Sequence, residues 1–267
     1  MKNLRLLSLL CCSLLLTSCV FNASSVPDEL YESAVRIEKV KKDSLLTALK
    51  SRAASLKSAR AYLQIAARKG LVKEELSQGI VFIRPDKLRI DMFGTEMNQL
   101  VGLLVANGSV IRMKDFVENK SYSLASSEEA ISQLLGLPLA PEEIMLWLTG
   151  TPILGSDAQI RHNFSENKYI LKSIKEDKEI TFTFVMAGKD GKFPVIVSSE
   201  LKSIKSGETL LLCEYEYGGF PEAVSPPGLP TRIVVEKVAD GITFDILVNS
   251  MSINQIIADT DKIFSLN

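Results

Sequence analysis

Leu16-Thr17-Ser18-Cys19 ends an apolar run, Leu6 to Leu16, that is preceded by Lys2 and Arg5. A positive start, a short apolar stretch and small residues before a cut are the marks of an export signal. A cysteine placed directly behind them is the pattern of a lipobox. Cleavage before Cys19 would free its amine for acylation and leave its thiol to carry a diacylglycerol. The run is too short to span a bilayer, which takes about 20 apolar residues. An ordinary cleaved secretory peptide is the alternative reading. Two or three acyl chains, each buried methylene contributing about 0.8 kcal/mol, would hold the chain on a membrane while its folded part stays in water.

Other candidates for chemistry are few. His162 is the single histidine; it follows Arg161, and no HExxH, CxxC or further ligand cluster accompanies it. No GxSxG elbow offers a hydrolase nucleophile. Gly188-Lys189-Asp190-Gly191-Lys192 has the composition of a phosphate loop without its spacing, and apolar strands flank it, so it reads as a hairpin turn. Glu142 and Glu143 are neighbours that point in different directions on a helix, which suits a helix N-terminus better than acid–base work. Cys11 and Cys12 leave with the leader, so Cys213 stands alone in an apolar strand and reads as a small core residue. These residues predict no enzyme and no metal, and no cofactor beyond the diacylglycerol and N-acyl chain on Cys19.

Removing residues 1–18 leaves 249 residues with 29 basic and 32 acidic side chains. That balance gives no basic surplus for nucleic acid or anionic headgroups. Residues 19–27 form the lipidated cysteine and a short tether ending at Pro27, and residues 28–267 form a single domain. Asp28 to about Leu56 has helical spacing, with Asp43-Ser44 able to cap a second helix. The period then changes to two. Ala59, Ala61, Leu63, Ile65 and Ala67 face one way and Arg60, Tyr62, Gln64 and Arg68 the other. The same alternation marks Leu88 to Met92, Ile180 to Met186 and Ile242 to Val248. Turns fall at Asn107-Gly108, Lys189-Asp190-Gly191, Ser206-Gly207 and Asp240-Gly241. About ten or eleven strands joined by short turns make an antiparallel meander that curls towards a barrel. One interruption, residues 126–149, reads as two short helices opening at Ser127-Glu128-Glu129 and at Pro141-Glu142-Glu143. Such a pair serves either as a lid over a curved sheet or as an ordinary core cover.

Asp86 to Pro152 resembles the outer-membrane lipoprotein receptor LolB of the LolA/LolB superfamily. The resemblance runs through Asp86-Lys87-Leu88-Arg89, the apolar strand Leu100 to Val105, and the turn Asn107-Gly108. It continues through Leu134-Leu135-Gly136-Leu137-Pro138-Leu139 and ends at Trp147-Leu148-Thr149-Gly150-Thr151-Pro152. The fold it implies is mainly β with helices: a curved antiparallel sheet forming an incomplete barrel closed by helices.

The task implied is to bind acyl chains in an apolar cavity and to accept or transfer lipoproteins, or lipids, for outer-membrane insertion. Partners implied are acylated lipoproteins or lipids, a periplasmic LolA-like carrier, and the membrane through the lipid anchor, with no nucleic acid and a monomeric chain. The implied location is the outer membrane, lipid-anchored and facing the periplasm; Val20 is not the aspartate that retains enteric lipoproteins at the inner membrane.

Cavity residues expected from the alternating strands and the insertion are Leu63, Ile65, Leu88, Ile90, Met92, Leu103, Leu137, Trp147, Phe182 and Phe184. The receptor's protruding apolar loop corresponds to Phe93 to Asn98, where Phe93 and Met97 are the apolar tips and Glu96 departs from the pattern. The C-terminal stretch Met251 to Asn267, with Ile253, Ile256, Ile257 and Phe264, is expected to pack back on the sheet. The alternative function is a non-transferring envelope lipoprotein that scaffolds an outer-membrane assembly and fills its interior completely.

Overall fold

The computed structural model describes residues 42–94, 99–155, 157–163, 168–187, 193–218 and 228–265. The leader, Cys19, the tether, Met97 and the turn at residues 188–192 lie outside the described residues.

Thirteen strands form one antiparallel sheet, two or three more than the turn spacing predicts. They are β1 (Ser58–Lys69), β2 (Val72–Ile83), β3 (Lys87–Gly94), β4 (Leu100–Asn107), β5 (Val110–Asp115) and β6 (Lys120–Ala125). The second run is β7 (Gln159–Asn163), β8 (Lys168–Lys175), β9 (Lys178–Ala187), β10 (Phe193–Ser203), β11 (Thr209–Glu216), β12 (Arg232–Lys237) and β13 (Ile242–Ile253). Each run is a meander, and the two are joined where β1 pairs with β13, leaving β6 and β7 as the edges. A sheet this wide curls rather than staying flat. Ile111 on β5 and Leu171 on β8, near opposite edges, accordingly belong to one buried cluster.

Among the described residues four α-helices accompany the sheet: α1 (Lys42–Ser55), α2 (Glu128–Leu135), α3 (Pro141–Leu148) and the single turn α4 (Thr260–Ile263). The α2–α3 segment lies between β6 and β7 in the chain, so it connects the two edges of the sheet. That topology explains why the insertion is apolar. Ala130, Ile131, Ile144, Met145, Leu146, Trp147 and Leu148 are buried with the sheet's inner face. Helix α1 buries Leu45 and Leu49 in the same core and runs beside β7. Arg52 fixes it there by donating to the carbonyls of Pro194, Thr149 and Gly228 at 3.2, 3.2 and 2.6 Å.

The C-terminal stretch packs only in part as expected. Phe264 is buried on the outer face against Leu103 and Val105, and Arg89 donates to the carbonyl of Ile263 at 2.7 Å. Ile253 belongs to β13 and packs on the inner core, whereas Ile256 is fully exposed, since the chain leaves the sheet at Asn254 in a left-handed conformation.

Candidate functional site

A cavity of about 230 Å³ lies between the inner face of β1, β2, β3, β12 and β13 and the α2–α3 segment. Its deep wall is Leu63, Ile80, Ile90 and Ile246, all buried, and its outer wall is Ile65, Ala67, Leu76, Met92 and Phe244, all half-buried. Exposure rises along each strand in the direction of the Gly70 turn, so the cavity deepens from that rim into the core. The helical side is Leu134, Leu135, Leu137, Ile144, Trp147 and Leu148. Drug-sized sites usually enclose roughly 300–1,000 Å³. This one takes roughly seven or eight methylenes, each close in size to a water molecule's share of ~30 Å³.

Two wider hollows, of about 350 and 700 Å³, open on the outer face. Their walls mix apolar residues with Arg68, Lys73, Arg232 and Asp245 in one and with Arg60, Arg89, Asp91 and Lys262 in the other, charged surroundings less suited to a hydrocarbon chain.

Ion pairs fix the N-terminal ends of both insertion helices. Lys178, almost buried at the start of β9, pairs with Glu128 and donates to the carbonyl of Pro138 at 2.8 Å. Lys175, at the end of β8, reaches Glu143 at 2.6 Å and Glu142 at 3.5 Å. Burial opposes protonation of Lys175, but the Glu143 hydrogen bond and the two carboxylate charges outweigh it and raise its pKa. Glu143 also accepts the Ala140 N–H at 2.9 Å, closing the first turn of α3 behind Pro141. Adjacent carboxylates here serve a helix start, as their sequence context predicts, but instead of pointing apart both reach Lys175. Gly136 ends α2 in the left-handed conformation, φ 72°, from which the chain turns into Leu137. At the close of α3, Gly150 has φ 58°, and a Cβ there would sit 2.5 Å from the Tyr217 hydroxyl.

The register puts the β1–β2, β3–β4, β5–β6, β8–β9, β10–β11 and β12–β13 connections on one rim, the rim towards which the cavity opens. Most of the exposed large apolar side chains gather there: Leu71 and Val72, Phe116 and Val117, Ile204 and Val238. Leu71 is completely exposed at the tip of the long β1–β2 hairpin. Phe93 is half-buried on the outer face beside Gly79, and Met97 is outside the described residues. Leu71 is on a different hairpin from the β3–β4 connection matched by sequence, where Leu100 is exposed as well.

Six of the ten expected cavity residues do line the space: Leu63, Ile65, Ile90, Met92, Leu137 and Trp147. Leu88, Phe182 and Phe184 are sealed in the core, with Phe184 stacked on Tyr169 at 5.3 Å on the β8–β9 half of the sheet. Leu103 points the other way, to the outer face under Phe264. Lining residues outside the expected ten include Leu76, Gln78 and Val235, and Phe244 and Ile246 from the alternating strand Ile242 to Val248.

The thiol of Cys213 is buried and accepts the Trp147 indole N–H at 3.1 Å. Burial pushes its pKa up to about 12, which removes the thiolate needed of a nucleophile. His162 lies on β7 with its ring 4.4 Å from that of Tyr169. Among the described residues no three His, Cys, Asp or Glu side chains come together as metal ligands.

No family model matches this chain, and no curated protein does. Solved structures do match. A LolA superfamily protein from Nitrosomonas europaea is similar over 85% of this chain and 98% of its own, with TM-score 0.57 and 15% identity. A domain assigned to outer membrane lipoprotein sorting, from Vibrio parahaemolyticus, covers 82% of this chain and 94% of its own, with TM-score 0.54 and 9% identity. A DUF1329 family protein from Desulfovibrio piger covers 90% and 98%, with TM-score 0.50 and 10% identity. The fold is therefore that of LolA-superfamily structures: an open, curled antiparallel sheet with helices.

Proposed function

We propose that this chain is a membrane-anchored lipoprotein that binds acyl chains in the inner-face cavity and accepts or transfers lipoproteins, or lipids, at the outer membrane. The observation that carries the reading is the cavity itself, where sixteen of seventeen lining residues are apolar. An acyl chain in water is disfavoured by about 0.8 kcal/mol per exposed methylene, so a carrier needs nothing more than such a shielded surface. The two structural neighbours, the LolA superfamily protein from N. europaea and the lipoprotein-sorting domain from V. parahaemolyticus, support lipoprotein handling. The sequence adds the lipobox at Cys19 and the LolB-like run from Asp86 to Pro152. On this reading the α2–α3 segment covers the open side of the half-barrel, and the apolar rim around Leu71 faces the bilayer. A filled interior would instead favour a scaffolding lipoprotein, and an unfilled 230 Å³ favours binding.

Native mass spectrometry of the purified full chain, before and after incubation with an acylated peptide, tests the proposal. A bound acyl species that competing fatty acid displaces supports it. Absence of any adduct at ligand concentrations well above micromolar sinks it.

A further inference from the structure

Resting on that reading, we infer that Gln78 recognises the acyl carbonyl at the head of the bound chain, so the cavity selects esters or amides over plain hydrocarbon. Gln78 is the one polar side chain among the seventeen that line the cavity. Its position on β2 is specific. The inward ladder runs from Phe82 and Ile80, both buried, through Gln78 and Leu76, both half-buried, to Glu74 in solvent. Gln78 therefore stands at the neck, one pleat inside Leu76 and one pleat outside the sealed floor. Its cross-strand neighbours are Leu63 on β1 and Met92 on β3, neither of which offers a hydrogen bond. The nearest polar group of the helical wall, the Trp147 indole N–H, is engaged by Cys213. The Gln78 amide makes no hydrogen bond to another described residue, so in the empty cavity water is its partner.

Filling the cavity changes that balance. A hydrocarbon chain expels the water and leaves two donors and an acceptor of Gln78 unmatched, which is unfavourable for a desolvated polar group. A chain whose carbonyl lies at the same depth accepts from the amide NH₂ instead. The part of the cavity beside Ile80 and Ile90 then lies on the core side of the carbonyl, and the head runs past Ile65, Leu76, Ala67 and Phe244 to the rim. Leucine or methionine would fit this position for a purely apolar ligand. An ester and an N-acyl amide share the carbonyl; only the amide brings an N–H that the Gln78 oxygen can accept.

Displacement of a dansyl-labelled fatty acid from the full chain by octane, methyl octanoate and N-methyloctanamide separates these cases, comparing the native protein with Gln78→Met. Loss of one hydrogen bond corresponds to a three- to tenfold weakening. We expect that weakening for both carbonyl probes in Gln78→Met, with octane bound equally well or better. A larger loss for the amide than for the ester marks the N-acyl chain as the preferred source; equal losses mark the carbonyl alone. Equal affinity of native and variant protein for all three probes, or an equal loss for all three, overturns the assignment while leaving the cavity reading intact. If the native protein binds none of the probes, the cavity reading fails and the role of Gln78 falls with it.

Discussion

Replacing Ala67 by phenylalanine is the sharpest test of where a ligand sits. Ala67 is half-buried on β1, faces the cavity, and lies near its mouth opposite Phe244. The six added ring carbons take up more than half of a space that otherwise holds roughly seven or eight methylenes. If at least four methylenes are excluded at about 0.8 kcal/mol each, binding weakens by about 3 kcal/mol, or on the order of a hundredfold. The site is close to the rim, so the ring meets solvent on one side and the fold bears little strain; its stability should change by less than about 1 kcal/mol. Titration with a fluorescent fatty acid gives the affinity, and a thermal melt gives the control. Undiminished affinity in a variant with an unchanged melt would refute the reasoning, because a phenyl ring and a full complement of methylenes do not fit together in 230 Å³.

Three further outcomes follow from individual contacts. Leu71→Glu should leave the melting temperature unchanged, since the side chain is fully exposed, and should lower binding to phosphatidylethanolamine–phosphatidylglycerol vesicles by a factor of ten or more, burial of a leucine contributing about 1.5–3 kcal/mol; sedimentation with vesicles measures it, and equal sedimentation removes Leu71 from the membrane contact. Cys213 should resist iodoacetamide at pH 8 in the native protein and react at once in urea, which peptide mapping reads out; native labelling would contradict a buried thiol with its pKa at about 12. Arg232 donates twice to Asp245, at 2.7 and 2.8 Å, and holds its carboxyl below the ordinary 3.8 chiefly through that hydrogen bond. A depressed carboxylate stabilises the fold above its ordinary pKa and loses that contribution as pH falls through the depressed value. The stabilities of the native protein and Asp245→Asn should therefore converge below pH 3.8, and a gap that persists in denaturant titrations at lower pH would count against the pair.

Strands were legible in the sequence wherever one face is wet. On β1, β3 and β9 the apolar and polar residues alternate, and the structure turns the apolar set of each inward, burying all of it except Ile65, Ala67 and Met92 towards the rim. The strand β2 is harder to see. Its rim half, Lys73-Glu74-Glu75, is polar on both faces because it projects beyond the core, so the inward positions Leu76 and Gln78 carry no clean signal. Leu103 was misplaced for the opposite reason. The run Leu100 to Ala106 is apolar on both faces, since Phe264 covers the outer one, and a period of two cannot say which side is inner. Phe182 and Phe184 do point inward as their spacing predicts. What excludes them from the cavity is tertiary: α1, held by Arg52, packs on the β7 side of the sheet, and the cavity lies beside β12, β13 and β1 to β3. No pattern within β9 encodes that choice.

The two ends of the insertion differ in what a ligand must displace. At the Lys175 and Lys178 end, moving α2 or α3 breaks hydrogen bonds to charged groups, each contributing roughly 1.5–3 kcal/mol. At the cavity end, Leu134, Leu135 and Leu137 meet the sheet through half-buried apolar contacts. An acyl chain offers the sheet the same kind of surface, so exchanging these leucines for methylenes costs little net free energy. The left-handed Gly136 lies between them, where the chain already departs from the helix. Entry is therefore expected to displace the Leu134–Leu137 stretch while the ion-paired helix starts stay in place. Hydrogen exchange with and without bound fatty acid reads this directly: amides from Leu134 to Leu137 should change their protection, and those of Ile131, Leu139 and Leu146 to Leu148 should not. A uniform change across α2 and α3 would mean that the pair moves as one body, and that the lysine contacts do not hold it.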